Sequence, residues 1–251
     1  MTGFPPDYAD ATVRPSPNFG ERRGGMRPDA LVLHYTGMES AEAAEDWLCN
    51  PLSEVSSHYL VHEDGRVVQM VPETGRAWHA GKGSWKGVAD VNSFSIGIEI
   101  VNPGHSFGYP DFPPSQIEAV IALCRDICQR WAILPQRVLA HSDTAPGRKI
   151  DPGEKFPWDI LASAGVGHYV DPVPITAEDV LAIGAQGEVV QEFQAKLAFY
   201  GYDVATTGNF DASTEQVVAA FQRHFRPALV DGVADTSTRE TLASLIAALP
   251  E

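Results

Sequence analysis

Cysteine is scarce in this sequence. Cys49, Cys124 and Cys128 are three in 251 residues, an odd number that makes neither a disulfide framework nor a Cys-x-x-Cys redox or metal motif. Cys124 and Cys128 share a stripe with Ile117, Val120, Ile121, Ile127 and Trp131, so the spacing predicts an amphipathic helix that buries both thiols as small apolar groups. Positive charge is also short. Eighteen Lys and Arg stand against 33 Asp and Glu, a formal net charge of −15. That balance lacks the basic footprint that displaces counterions from nucleic acid, and it disfavours anionic membrane surfaces. The acidity is no tail: from Glu178 onward 4 basic residues face 11 acidic ones, and before it 14 face 22. Long apolar runs are missing as well. None approaches the ~20 residues of a membrane span, and Met1 to Gly25 carries Pro, Asp and Arg without the apolar segment of a secretion signal. No transmembrane segment and a cytoplasmic location are expected on that ground.

What is present is an ordinary globular mixture, 44% apolar and 20% charged, long enough for a catalytic domain and a small second one. Residues 1–24 hold four prolines and read as an extended N-terminal arm with no chemistry of its own. From Ala30 an apolar run of strand length ends in His34-Tyr35, and Ser40 is placed to cap a helix reaching Leu48. Tyr59–His62 and Val67–Val71 flank Asp64-Gly65, a hairpin signal. In Ser95–Val101 the isoleucines 96, 98 and 100 alternate with Gly97 and Glu99, so Glu99 projects from the opposite face. Ser115 and Glu118 form a candidate capping box for the cysteine-bearing helix, and Val138–His141 reads as a strand ending in histidine before a loop to Gly153. Strands alternating with helices predict an α/β domain over residues 25–162, a mixed β-sheet flanked by helices.

Residues 163–177, punctuated by Gly and Pro, read as a linker. Beyond it, Gly208, Asp211 and Thr214 recur 24 residues on as Gly232, Asp235 and Thr238, each set opening a helix with Asp as cap. With Val190, Phe193, Leu197 and Tyr200 at helical spacing, residues 178–251 read as a second, small all-α domain of three helices.

The strand-end histidines His34 and His141, the strand carboxylate Glu99 and the loop pair Lys149 and Asp151 are the polar groups that look arranged. By spacing alone they leave two readings open, a metal site or satisfied core and capping residues, since His141 and Asp151 stand ten apart with prolines and glycines between. A linked set of motifs goes further: His34-Tyr35-Thr36, Ser57-His58-Tyr59, Trp78-His79-Ala80-Gly81, Asn92 with Ser95-Ile96-Gly97-Ile98-Glu99, and His141-Ser142-Asp143 running on to Lys149-x-Asp151-Pro152-Gly153. In that order the chain from about Arg27 to Leu161 resembles the AmpD-like N-acetylmuramoyl-L-alanine amidases. The segment from Ile183 to Ile246, through Phe193-Gln194, Gly208-x-Phe210-Asp211, Phe221-Gln222 and Asp231-Gly232, resembles the three-helix peptidoglycan-binding domain often attached to wall hydrolases.

The amidase resemblance implies one zinc ion per chain held by His34, His141 and Asp151, three ligands that leave a fourth position open as catalytic sites do. It implies Glu99 as general base, and Lys149 as the ammonium beside a developing oxyanion. His79 is expected as a substrate contact or a support behind the metal, and Tyr35 as a packing or substrate-contacting neighbour. His58 and His62 are expected to make structural hydrogen bonds, while His105, His168 and His224 receive no role. The implied reaction is hydrolysis of the amide between the lactyl group of N-acetylmuramic acid, in the 1,6-anhydro or the ordinary form, and L-alanine. Its partners are peptidoglycan or muropeptide fragments, its oligomeric state a monomer. Two alternatives stand beside it: a muropeptide recognition protein that does not cut, which loss of a zinc ligand would mark, and a zinc peptidase acting within the stem peptide. A wall-binding domain also favours the periplasm or envelope, against the cytoplasm that the N-terminus predicts.

Overall fold

A computed structural model describes residues 3–175 and 179–250; the expected junction of linker and second domain, residues 177 and 178, lies outside them. Six strands form one mixed sheet: β1 (Thr12–Val13), β3 (Ala30–Tyr35), β4 (Tyr59–Val61), β5 (Val67–Gln69), β7 (Ser95–Ile100) and β8 (Val138–Ala140), in the order β1-β5-β4-β7-β3-β8. The hairpin β4–β5 is antiparallel, as Asp64-Gly65 predicts. All other neighbours run parallel. A separate ribbon pairs β2 (Phe19–Gly20) with β6 (Arg76–Ala77).

Alternation along β3 and β7 separates core from site. Leu31, Leu33, Ile96, Ile98 and Ile100 pack against Ile117, Val120, Leu123, Cys124 and Ile127 of helix α3 (Pro114–Trp131). Each such fully buried side chain contributes about 1.5–3 kcal/mol relative to exposure. A slip of one residue would replace the isoleucines by Ser95, Gly97 and Glu99, so burial on one face fixes what stands on the other. The register sets His34 beside Glu99 and Val32 beside Leu139.

Helix starts agree with the sequence where the cap is local. Ser40 accepts from Ala43 N at 3.1 Å to open α1 (Ala41–Leu48). The box at Ser115 does not form: α3 begins at Pro114, whose fixed φ and missing N–H suit a first helical turn, and Ser115 instead donates to Glu63 O at 2.8 Å. Nor does His141 end a strand. It is the first residue of a one-turn helix, α4 (His141–Thr144), which follows α2 (Val91–Phe94) and α3 in the chain. The N-terminal arm is stitched in, with β1 at the sheet edge and Arg22 donating to Ser93 O, Ser95 O and Glu73 O at 2.7–3.0 Å.

After α5 (Trp158–Ser163) come the three helices of the second region, α6 (Glu188–Tyr200), α7 (Ala212–Phe225) and α8 (Thr236–Ala247). Asp211 and Asp235 cap the last two by accepting from Thr214 N at 2.9 Å and Thr238 N at 2.8 Å, so the 24-residue echo is a repeat of one capping device. Val190, Phe193, Leu197 and Tyr200 are all buried. The segment before these helices does not swing free: Val166 is buried, and Val173 bonds Thr241 through its N–H and Ser237 through its carbonyl. One apolar cluster runs from Val32 and Leu139 on the sheet, through Trp85 and Val91, into Leu197, Tyr202 and Phe221.

Candidate active site

On the face of the sheet opposite α3, three buried side chains converge. His34 comes from the C-terminal part of β3, His141 from the first turn after β8, and Asp151 from the loop beyond, which Ser142 N ties down by donating to Asp151 O at 3.0 Å. The two Nδ1 atoms lie 2.8 Å apart, and Asp151 Oδ2 lies 3.1 Å from His34 Nδ1 and 2.9 Å from His141 Nδ1. Outer hydrogen bonds orient both rings. His141 Nε2 lies 3.0 Å from the Ala80 carbonyl, which can only accept, so Nε2 carries the proton. Ser95 spends its one hydroxyl proton on Val91 O at 2.6 Å, so it accepts from His79 Nε2 at 3.2 Å. His79 Nδ1 is then a lone pair that accepts from His34 Nε2 at 3.0 Å. Burial, then repulsion from His141, pushes the His34 pKa down to about 4, and burial likewise holds His79 well below the usual range, so both rings are neutral at pH 7.

With both Nε2 atoms turned to outer partners, the two Nδ1 atoms and a carboxylate oxygen point at one another. Such a set matches a borderline cation such as zinc. Among the described residues it is the one such group of three.

His79 sits behind His34, where its bond orients the ring, and it also lines the cleft, so its geometry suits both expected roles. Gly97 makes room for it. A Cβ at Gly97 would lie 2.6 Å from His79 Nδ1 and 2.8 Å from Cδ2, inside contact distance. Gly97→Ala is therefore expected to displace the His79 ring and weaken metal affinity by on the order of 10-fold, the usual effect of disturbing a ligand's hydrogen-bond partner. Competition with a chromophoric chelator measures it, and an unchanged affinity would contradict the support role.

The cluster opens into a cleft of about 370 Å³. Trp47, Leu48, Val55 and Trp78 form an apolar wall; Glu99, Lys149 and Arg148 are the charged groups beside the three converging side chains. Glu99 Oε2 is enclosed and has no hydrogen-bond partner among the described residues. Burial, then the negative charge of Asp151, raises the Glu99 pKa well above the usual glutamate value, with Lys149 opposing. The sequence model of the N-acetylmuramoyl-L-alanine amidase family matches residues 24–154, just over half of the chain, and that of a peptidoglycan binding domain matches residues 186–242.

The chain belongs to this amidase family. The N-acetylmuramoyl-L-alanine amidase AmiD of Escherichia coli K12 is 39% identical over 234 residues, 88% of this chain and 83% of AmiD. The solved complex of E. coli AmiD with anhydro-N-acetylmuramic acid-L-Ala-D-gamma-Glu-L-Lys superposes with a TM-score of 0.74 at 36% identity, over 92% of this chain and 97% of that one. AmpDH3 of Pseudomonas aeruginosa, solved with an anhydromuramic pentapeptide, gives 0.70 at 30% identity over 95% and 96%. Both likenesses take in the C-terminal helices as well as the sheet.

Tyr35 lines the cleft, its hydroxyl 3.0 Å from His105 Nδ1. His58 accepts from Gly97 N at 2.9 Å, and His62 Nε2 lies 3.0 Å from Glu45 Oε2, the structural bonds foreseen for them. His224, given no role, is buried against Asp143. Its partner lies 81 residues away, and no local pattern announces it.

Proposed function

We propose that the chain is a zinc-dependent amidase that hydrolyses the bond between the lactyl carbonyl of N-acetylmuramic acid and the nitrogen of L-alanine in muropeptides. The observation that carries this reading is the convergence of three candidate ligand atoms beside a carboxylate oxygen that has no partner among the described residues, all opening on one cleft. His34, His141 and Asp151 would hold one zinc ion. When bound, zinc supplies Lewis acidity, both to the carbonyl and to water, whose pKa it can lower from 15.7 to about 7. Glu99 takes the proton of the attacking water and delivers it to the leaving amine, which departs as the free amino group of L-alanine. A raised pKa suits that return step, because a stronger base in the first transfer is a usable acid only if its affinity for the proton stays near the working pH. Lys149 places its ammonium at the carbonyl oxygen as negative charge develops there. The apolar wall of Trp47, Leu48, Val55 and Trp78 excludes water from the other side of the substrate.

Lys149→Ala is expected to lower kcat by on the order of 10²-fold, as removal of one oxyanion donor does. If KM rises while kcat holds, Lys149 binds the ground state instead.

A second reading, recognition without cleavage, is disfavoured because neither a ligand nor the base is missing. AmiD and AmpDH3 were solved with anhydro-sugar peptides, and we take the same class as substrate here. Mass spectrometry of a soluble anhydro-muropeptide before and after incubation tests it: the product pair is the free anhydro sugar and a peptide beginning in L-alanine. A cut within the peptide would make the chain a peptidase, and no change of mass would make it a receptor. Parallel digestion of purified sacculi decides whether the polymer is also a substrate, as the peptidoglycan-binding segment favours, which would place the protein in the envelope. Among the described residues no helix is long and apolar enough to cross a membrane.

A further inference from the structure

The turn that carries His141 is held from the C-terminal helices. Asp143, two residues after that ligand, is fully buried. Its Oδ2 accepts from Ala140 N at 2.8 Å, closing the first turn of α4, and from His224 Nδ1 at 2.6 Å; its Oδ1 accepts from the Tyr202 hydroxyl at 2.7 Å. His224 lies on α7, and its ring stacks on Trp158 of α5 at a centroid distance of 3.7 Å. Tyr202 follows α6, where the Gly201 carbonyl accepts from Lys86 N at 2.8 Å and leaves no room for a side chain beside Trp85. Further along the loop, Gly147 passes so near Gln216 of α7 that a Cβ there would collide with it. The contacts at Asp143 and Gly147 bear directly on the stretch from His141 to Asp151, and those at Trp85, Lys86 and Trp158 flank it.

A carboxylate buried without bonds is costly, so Asp143 stays in its place only while its donors do. The Ala140 N–H alone leaves Oδ1 empty and Oδ2 half-satisfied. We propose that Tyr202 and His224 are positioning residues of the catalytic centre: by fixing Asp143 they fix the turn that aims His141, so the C-terminal region completes the metal site as well as binding polymer. The inference rests on reading His141 as a metal ligand.

The test uses the full chain with Tyr202→Phe, which removes one hydroxyl and keeps the ring, with His224→Ala, and with His224→Asn, whose amide N–H replaces the donor at Nδ1. Zinc affinity is read by chelator competition without substrate, alongside thermal midpoint, kcat and KM on a soluble muropeptide. Tyr202→Phe and His224→Ala are expected to weaken zinc binding by on the order of 10-fold and to lower kcat with little change in KM, and His224→Asn to recover most of both. Wild-type zinc affinity in Tyr202→Phe and His224→Ala, with only the midpoint lowered, would overturn the proposal, because a packing role alone moves stability and not ligation. Should His224→Ala fail to fold, Tyr202→Phe decides. Failure of the amidase reading shows separately, as a wild-type chain that holds zinc yet leaves the muropeptide whole; the affinity comparison still decides the positioning. A wild-type chain that binds no zinc overturns both.

Discussion

Asp151→Ala is expected to lose its zinc and to reduce muropeptide hydrolysis to background. Asp151 would supply the one anionic ligand among the proposed three, and its removal leaves two imidazoles whose Nδ1 atoms face each other at 2.8 Å. Two neutral ligands cannot retain a divalent cation at the low free concentrations where a three-ligand site does, and with the metal goes its polarisation of carbonyl and water. Elemental analysis after dialysis gives the zinc content directly. Treating the wild-type protein with a chelator should reproduce the loss, and adding zinc back should restore the wild type and not the variant. Full zinc with full turnover in Asp151→Ala would mean that the metal, if any, sits elsewhere. Asp151→Asn separates charge from shape: it keeps the size and one carbonyl oxygen, so zinc lost there too would show that the negative charge is what holds it.

The features legible in the sequence are those whose cause is local. Alternation in Ser95–Ile100 fixes which face Glu99 occupies, because three isoleucines must be buried on the other. Ser40, Asp211 and Asp235 cap helices through bonds spanning three residues, a distance that a sequence pattern can span. The proposed metal ligands are a different case. His34 and Asp151 are 117 residues apart, and only the order β7-β3-β8 brings them together, so the residues by themselves leave the site undecided and the family motifs supply it. The failures share that origin. Ser115 looks like a cap, but Pro114 one residue earlier already starts the helix. The arm is expected to carry no chemistry, and nothing near Arg22 in the sequence shows that it will donate to the backbone of residues 93–95. Asp143, Tyr202 and His224 each have an ordinary local setting, and their meeting is set by how α7 lies against α4. What remains invisible from sequence is thus the layer behind the ligands, whose partners are chosen by packing between distant segments.

Glu99→Gln is expected to keep its zinc and lose kcat by on the order of 10²-fold or more, since an amide of the same shape can neither take a proton from water nor return one to the amine. Two further readouts follow from the enclosure of Oε2, which has no partner among the described residues. First, kcat/KM of the wild type should fall on the acid side as Glu99 is protonated, and that limb should vanish from the residual activity of the variant. Second, stability should change with a definite sign in the zinc-free protein. Burial and Asp151 raise the folded pKa above the ordinary 4.5, so folding favours the protonated form. The stability so gained is complete below the unfolded value and is lost as pH rises through the folded one. Glutamine has no proton to lose, so the thermal midpoint of zinc-free Glu99→Gln should gain on the wild type as pH rises from 4 toward neutrality. A variant that retains most of its kcat would remove Glu99 from proton transfer. A midpoint difference that stays flat over that range would mean that Glu99 binds its proton equally in the folded and the unfolded chain, so that enclosure does not raise its proton affinity.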